Sequence, residues 1–174
     1  MMSNWFKVVV YRLGQGFQQL GFVKPLNEAD YAEAERWLPT SAWPLFRRMR
    51  TPEQQHALRV CRGLYASGCR EEDLLAAALL HDVGKSEGRV PFWTRPTIVL
   101  GKRLCPQLLK RVAVYPDMQQ SRWRRSLGYA WWHAEIGAEL AAQAGLSPQA
   151  VVYIRTHHQP QGPAAALHAI DEVS

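Results

Sequence analysis

The sequence predicts an all-α fold, and three observations support this. Apolar residues recur at helical spacing, no stretch shows the alternation typical of a strand, and capping residues stand where helices would begin. The chain has 174 residues, of which 47% are apolar and 21% charged, a balance that suits one globular domain with a real core. We find no internal repeat and no low-complexity segment.

The first helix is predicted to begin after Asn27, because Asn27 and Asp30 stand at a capping spacing, and to run to about Trp37. A shorter helix is expected over 42–50. Residues 1–26 mix apolar residues with three glycines and predict no clear element. We therefore expect residues 1–50 to form an N-terminal helical extension.

The next two helices have clearer signals. The run Thr51–Gln54 offers a cap residue, a proline at the first helical position and a glutamine at the third, so a helix is expected from Pro52 to about Ala66, ending at Gly68. Acidic residues 71–73 suit the first turn of another helix. That helix is apolar nearly all round, which predicts that it is the buried central helix.

The remaining helices are predicted in the C-terminal half of the chain. One is expected within 97–114, one over 129–144, one from 148 to about 158 after Ser147, and one over 164–173. Residues 51–174 are expected to be one domain with a basic and aromatic insertion at about 86–128. Four interpretations of the insertion stay open: a solvated connector, a substrate lid, a membrane-facing stretch, and a nucleic-acid face, which is not favoured.

Charge and cysteine content restrict the partners and the compartment. A formal net charge of +6 and a pI of about 9.5 favour anionic partners, such as phosphorylated small molecules, nucleic acid or an acidic membrane surface. The three cysteines form no CxxC pair, which indicates a reducing compartment. The apolar run at 8–10 is too short for a signal peptide or a membrane span. We expect a cytoplasmic protein, with peripheral membrane contact left open.

Histidines carry the strongest functional signal. Five of the six lie within or at the ends of predicted apolar helices, at His56, His81, His133, His157 and His158. A single histidine in such a place is more often a satisfied core residue. Repeated histidines on inward helix faces, with Asp82 directly after His81, can instead converge as metal ligands in a helical bundle.

The histidine–aspartate dyad places a further constraint on the local structure. Adjacent residues on a helix point about 100° apart, so His81 and Asp82 can both bind one metal only near a helix end or in a single pocket. Gly84 is expected to end the helix there, and Lys85 to place a cation beside a bound anion.

The segment LLAAALLHDVGK resembles the signature of HD-domain proteins, which are metal-dependent phosphohydrolases with an all-helical core. The family's order of a histidine, a His-Asp dyad and a distant aspartate reads here as His56, His81 with Asp82, and Asp171. The resemblance covers about residues 52–174. It implies an HD-domain helical bundle whose metal site is formed by these four side chains.

Two further segments, HAEIGAELA at His133 and IRTHHQPQG at His157 and His158, are similar to those that supply extra histidines in two-metal members of the family. This similarity implies that Asp82 bridges two metals and that His133 holds the second with His157 or His158. The Gly-Tyr-Pro signature of the cyclic-dinucleotide phosphodiesterase subgroup is absent. Imidazole and carboxylate ligands suit Fe, Mn, Co, Ni or Zn, so two divalent transition metal ions are the expected cofactor.

The resemblance implies hydrolysis of a phosphoester or phosphoanhydride in a nucleotide-like small molecule through a metal-activated water. Asp82 and Lys85 are the expected catalytic residues, and Lys85, Arg89 and Arg95 the expected substrate-binding residues. His168 lies three residues before Asp171 on the same helix side, and a surface position is favoured for it over support of the ligands, which stays open. Two alternatives stay open: a di-iron oxygenase of the HD fold, which has the same ligand order, and a non-catalytic module that senses a ligand or associates with a membrane.

Overall fold

A computed structural model of the chain describes residues 25–87, 94–117 and 119–174. All regular secondary structure in these ranges is helical, which confirms the predicted all-α class. The helices are α1 (Glu28–Glu35), α2 (Trp43–Arg48), α3 (Thr51–Ala66), α4 (Glu72–Leu80), α5 (Gly84–Glu87), α6 (Thr94–Leu104), α7 (Pro106–Val112), α8 (Arg122–Gln143), α9 (Pro148–Thr156) and α10 (Ala165–Asp171).

The first helix starts at the predicted capping box. The Asn27 side chain accepts a hydrogen bond of 2.8 Å from the Asp30 backbone N–H, and the Asp30 carboxylate accepts one of 3.1 Å from the Asn27 N–H. Phe46 of α2 is fully buried in the same core as the helices that follow. Residues on both sides of position 50 therefore share one hydrophobic core.

The predicted cap of α3 is wrong. Thr51 is already helical, and the Arg50 N–H donates to the Glu53 carboxylate at 3.0 Å. An ionised carboxylate at the positive end of a helix is a stronger acceptor than an amide. Gln54 is buried instead and donates to the Phe46 carbonyl at 2.8 Å, which joins α3 to α2. The carboxyl end of α3 is as predicted, because the helix stops at Ala66 and Gly68 follows with φ of +96°.

Helix α4 is the buried central helix that the sequence predicts. Every side chain from Leu74 to Leu80 is buried, and the helix packs against α2, α3 and α9. Four residues of this stretch are leucines and three are alanines, so neighbouring helices approach closely on every side. The following turn, residues 81–83, is consequently enclosed by helices.

Gly84 does not end α4, contrary to the prediction, because the helix ends at Leu80 and Gly84 begins α5. Its role is close packing against α8. A Cβ at Gly84 would collide with the carbonyl oxygen of His133 and lie 2.9 Å from the backbone nitrogen of Gly137. The missing side chain therefore allows the dyad turn to rest on α8.

The predicted single helix within 97–114 is two helices. Pro106 starts α7 because it has no N–H to continue α6 and disfavours helical geometry at Cys105. The pair packs on α8 through a second, smaller cluster whose buried members are Leu109, Ala113 and Leu127. Helix α8 begins at residue 122, before the predicted 129, since its arginine-rich first turn has good helix propensity.

The last two helices lie close to their predicted positions. Ser147 caps α9 by accepting a hydrogen bond of 3.0 Å from the Ala150 N–H. Helix α9 ends at Thr156, so His157 and His158 lie in the turn that follows it. In the part of the chain that the structure describes, no helix combines the length and apolar character needed to cross a membrane.

We expect Gly84→Ala to destabilise the protein by roughly 1–3 kcal/mol, because the new methyl group meets α8 backbone atoms that have little freedom to move. Urea unfolding followed by circular dichroism measures this. The matched control is Gly101→Ala on α6, whose methyl would meet only the flexible end of the Leu109 side chain. Equal stability of the two variants would contradict the proposed close approach of α5 and α8.

Candidate metal centre

Five parts of the bundle carry the predicted ligands to one place. His56 lies in the middle of α3 and His133 in the middle of α8. The dyad turn follows α4, the turn with His157 and His158 follows α9, and Asp171 is the last residue of α10. The helix ends direct several polar side chains into a region that is otherwise apolar.

The first group of ligands contains His56, His81 and Asp82, whose candidate ligand atoms all lie within 4.8 Å of one another. Asp171 belongs with them. One of its carboxylate oxygens lies 2.8 Å from His56 Nε2 and 3.6 Å from His81 Nε2. The four side chains that the resemblance in sequence named as ligands therefore lie close together in the structure.

The second group contains His133, His157 and His158, again with ligand atoms within 4.8 Å of one another. Asp82 lies between the two groups. Its Oδ1 is 3.5 Å from His133 Nε2, and its Oδ2 is 3.7 Å from His81 Nε2. All seven predicted ligands therefore form one continuous cluster with a carboxylate at its centre.

Three of the imidazole rings are oriented in the same way. In each, the Nδ1–H donates to the backbone carbonyl three residues earlier, since a carbonyl can only accept: His81 to Ala78 at 2.9 Å, His133 to Ala130 at 2.8 Å, and His157 to Ile154 at 2.7 Å. The proton on Nδ1 leaves Nε2 with a free lone pair when the ring is neutral. This is the tautomer that binds a metal through Nε2.

Two of these Nε2 atoms, on His81 and His157, are buried and have no hydrogen-bond partner. Leaving such an acceptor unpaired costs on the order of 1–3 kcal/mol. A metal ion bound at each group would satisfy these atoms, and imidazole with carboxylate is a donor set that transition metals prefer. The residues present therefore fit a metal ion.

The ligands differ in their exposure to solvent. His81 and His157 are fully buried, whereas the side chains of His56 and Asp171 are each 17% exposed. The first group thus has an edge that solvent reaches, and the second is reached through it or past His158, which is exposed.

The two aspartates are held ionised. Burial alone would raise the pKa of Asp82, but the Lys85 ammonium 2.5 Å away, His81 and His133 together hold it well below its usual range. Burial also opposes ionisation of Asp171, but the hydrogen bond to His56 and the nearby His81 ring outweigh it, so the pKa of Asp171 is lowered too. The cluster therefore keeps two negative charges available for a cation.

The histidines divide into two kinds. Burial lowers the pKa of His157 to about 3, and it holds the pKa of His133 well below its usual range with help from Lys85. Both rings are consequently neutral and ready to act as ligands. Burial also opposes a charge on His81, but the carboxylates of Asp82 and Asp171 raise its pKa. The negative field that attracts a proton to His81 attracts a metal ion in the same way.

Two predicted substrate residues are not placed at the cluster. Arg89 lies outside the described residues, and Arg95 occupies the first turn of α6. Their contact with a substrate stays a prediction. Lys85 does reach the site, where it pairs with Asp82.

Two further residues lie near the site: His168, for which support of the ligands was the less favoured interpretation, and Glu53, which was not predicted from the sequence. His168 is half-buried rather than at the surface, and its Nδ1–H donates to the His157 carbonyl at 3.1 Å, which fixes the turn that carries two ligands. Glu53 is a partly buried carboxyl whose pKa is raised by burial and by the charge of Asp82. Its position three residues before His56, on one helix side, was the signal available in the sequence.

No protein-family model, no curated protein and no solved structure matches this chain. The resemblance to HD-domain proteins therefore stays a prediction from the motifs. The geometry, burial and charge of the cluster support a metal centre without help from any relative.

We expect a divalent transition metal to stabilise the protein, because a ligand that binds only the folded state adds about 2.7 kcal/mol at a concentration one hundred times its dissociation constant. Thermal unfolding with and without chelator measures this, and elemental analysis gives the bound metal. Asp82→Asn should retain far less metal. The control is Asp117→Asn, which alters an exposed carboxylate that is not one of the seven ligands. A wild-type protein that takes up no metal and ignores chelator would refute the site.

Proposed function

We propose that this protein is a metal-dependent hydrolase of a phosphoester or phosphoanhydride in a nucleotide-like small molecule. The observation that carries the proposal is the placement of Asp82. Its buried carboxylate lies between two groups of histidines and has the Lys85 ammonium 2.5 Å from one oxygen. Metal ligands and a cation for an anionic substrate are thereby combined in one cluster.

The ligands divide between two ions in this proposal. His56, His81, Asp82 and Asp171 would hold one, and His133, His157 and His158 would hold the other, with Asp82 shared. When bound, such ions lower the pKa of water and stabilise the oxygens of a phosphoryl group. The protein's own contribution is to fix the ligands in a dry cluster and to supply further positive charge.

Lys85 supplies that positive charge. Its side chain is 16% exposed, so the ammonium is not sealed inside the core. A lysine has a flexible stem, and its ammonium can turn from Asp82 towards a phosphate oxygen that enters the cluster. Phosphoryl transfer asks little covalent chemistry of a protein and depends mainly on positioning and on charge stabilisation. The net charge of +6 adds a general attraction for anions.

A di-iron oxygenase is the rival class, and the composition of the ligands favours it as much as it favours a hydrolase. Lys85 favours the hydrolase modestly, because a cation next to the metal ligands assists phosphate binding. A non-catalytic module accounts for the cluster less well, since a scaffold has no need of buried Nε2 atoms without partners.

The deciding experiment loads the metal-free protein with Mn, Fe, Co, Ni or Zn in turn and tests a panel of nucleotides, phosphomonoesters and phosphodiesters. We expect phosphate or nucleotide release with at least one metal, and none with Asp82→Asn. Oxygen consumption by the iron form without hydrolysis would favour the oxygenase. A fully loaded protein with neither activity would refute both enzymatic assignments.

Lys85→Met should lower kcat/KM on the active substrate about tenfold or more while metal content stays near that of the wild type. Methionine keeps most of the unbranched stem and removes the ammonium group with its charge and its N–H donors. Arg59→Met, at an exposed position on α3, is the matched control for the loss of one positive charge and should leave the rate unchanged. Loss of metal together with activity in Lys85→Met would recast the lysine as a support for Asp82.

The number of metals is a separate prediction. Fully loaded wild type should hold about two ions per chain, as expected for a bridged pair. His133→Ala and His56→Ala should each hold about one, because they remove ligands from different groups. The residual metal of each variant is measured by elemental analysis of the desalted protein. A wild type that saturates at one ion, unchanged in His133→Ala, would show that the second histidine group has another use.

A further inference from the structure

The pair α6 and α7 exposes three large aliphatic side chains: Leu100 is 58% exposed, Leu104 is 65% and Leu108 is 60%. We call these three residues the leucine patch. Leu100 and Leu104 are four residues apart and so lie on the same side of α6. Leu104 and Leu108 line one shallow groove where the two helices meet. The patch is therefore continuous across the break at Cys105.

The leucine patch is not used to hold α6 and α7 in place. Their contact with α8 is made by other side chains, mainly Leu109 and Ala113, with Ile98 packed against them. The two helices thus have one apolar side that faces the bundle and another that faces solvent. Exposed aliphatic side chains concentrated at one place indicate a binding surface more often than isolated ones do.

The charge of the same segment identifies the chemistry of the partner. Residues 94–112 contain five basic residues and no acidic one, so they contribute +5 to a chain whose formal net charge is +6: Arg95, Lys102, Arg103, Lys110 and Arg111. Arg111 is exposed and lines the same groove as Leu104 and Leu108. The partner must offer an apolar phase and negative charge side by side.

We propose that α6 and α7 bind the surface of a bilayer that contains anionic phospholipid. The leucine patch would enter the boundary between head groups and acyl chains, and Arg111 beside it would lie at the level of the lipid phosphates, to which the charge of +5 on this segment is attracted. Amphipathic helices bind membranes in this way, with an apolar side buried and lysine and arginine around it. Long basic side chains suit the boundary because their stems are apolar and their charged ends reach the head groups.

Two other partners fit the observations less well. A second copy of the chain would bring its own +5 against the first at short range, so charge repulsion opposes self-association through this surface. Nucleic acid would complement the positive charge but would leave the leucines without an apolar partner, since bases stack on aromatic rings rather than on aliphatic side chains. Two nearby aromatic residues are already engaged, as Trp132 donates to the Ala113 carbonyl and Tyr115 to the Glu139 carboxylate.

The test is flotation of the full-length protein with two kinds of vesicle, one of phosphatidylcholine alone and one of phosphatidylcholine and phosphatidylglycerol in equal parts. Binding to the anionic vesicles, weakened by added salt, is expected, with little binding to the neutral ones. The double variant Leu104→Ser with Leu108→Ser should bind roughly a hundredfold more weakly, at about tenfold for each leucine. Val173→Ser, which alters a 74% exposed aliphatic residue elsewhere, is the matched control.

Charge is tested separately. Arg111→Glu should weaken binding to the anionic vesicles roughly tenfold, because it replaces an attraction by a repulsion at the membrane surface. Arg59→Glu makes the same change of charge at an exposed position on α3 and should have little effect. Circular dichroism of each variant confirms that the helices are intact.

Three results would overturn the proposal: no binding of wild type to the anionic vesicles, equal binding by the double leucine variant, or equal binding to neutral vesicles. A dimer that the leucine substitutions convert to a monomer, without vesicle binding, would assign the patch to a second copy. Asp82→Asn should bind vesicles as the wild type does, so failure of the hydrolase proposal leaves this one standing.

Discussion

The ionised carboxylate of Asp82, buried among imidazole rings, is the constraint on which the site depends. A carboxylate in this position is tolerated only because Lys85 lies 2.5 Å away and histidines surround it. His81 and His133 are in turn held by hydrogen bonds to backbone carbonyls, and α5, which carries Lys85, rests on α8 through the close approach at Gly84. The packing of α3, α4, α5 and α8 therefore determines whether the charge of the Asp82 carboxylate is balanced.

Local signals in the sequence predict much of the helical architecture. They are wrong where the role of a residue depends on its contact with another helix. The Asn27 and Ser147 caps and the burial of α4 depend on neighbouring residues or on composition, and all three predictions are confirmed. The role of Gly84 depends on α8, about fifty residues later, which no local pattern reveals. Gln54 is similar, because its amide bonds to the carbonyl of Phe46 in the preceding helix.

The same difference applies to the site, where the sequence reveals the ligands better than the contacts that support them. Histidines and aspartates at the ends of apolar helices can be identified in a sequence, and the structure brings all seven of the predicted ligands together. Their supports cannot be identified so readily, since His168 acts on the backbone of His157 and its residue type alone does not indicate this. Every residue has a backbone carbonyl, so the sequence does not show which carbonyls accept hydrogen bonds from the ligands.

The convergence of helix ends at the cluster has an electrostatic consequence. Helices α4, α9 and α10 all end there, at Leu80, Thr156 and Asp171, so each presents its carboxyl end to the ligands. The aligned peptide dipoles of a helix place roughly half a negative elementary charge at that end. The backbone itself thus makes this region favourable for cations, in addition to the two aspartates. Because that contribution belongs to the fold, it would persist through substitutions of individual ligands, and any anion that enters must be accompanied by positive charge.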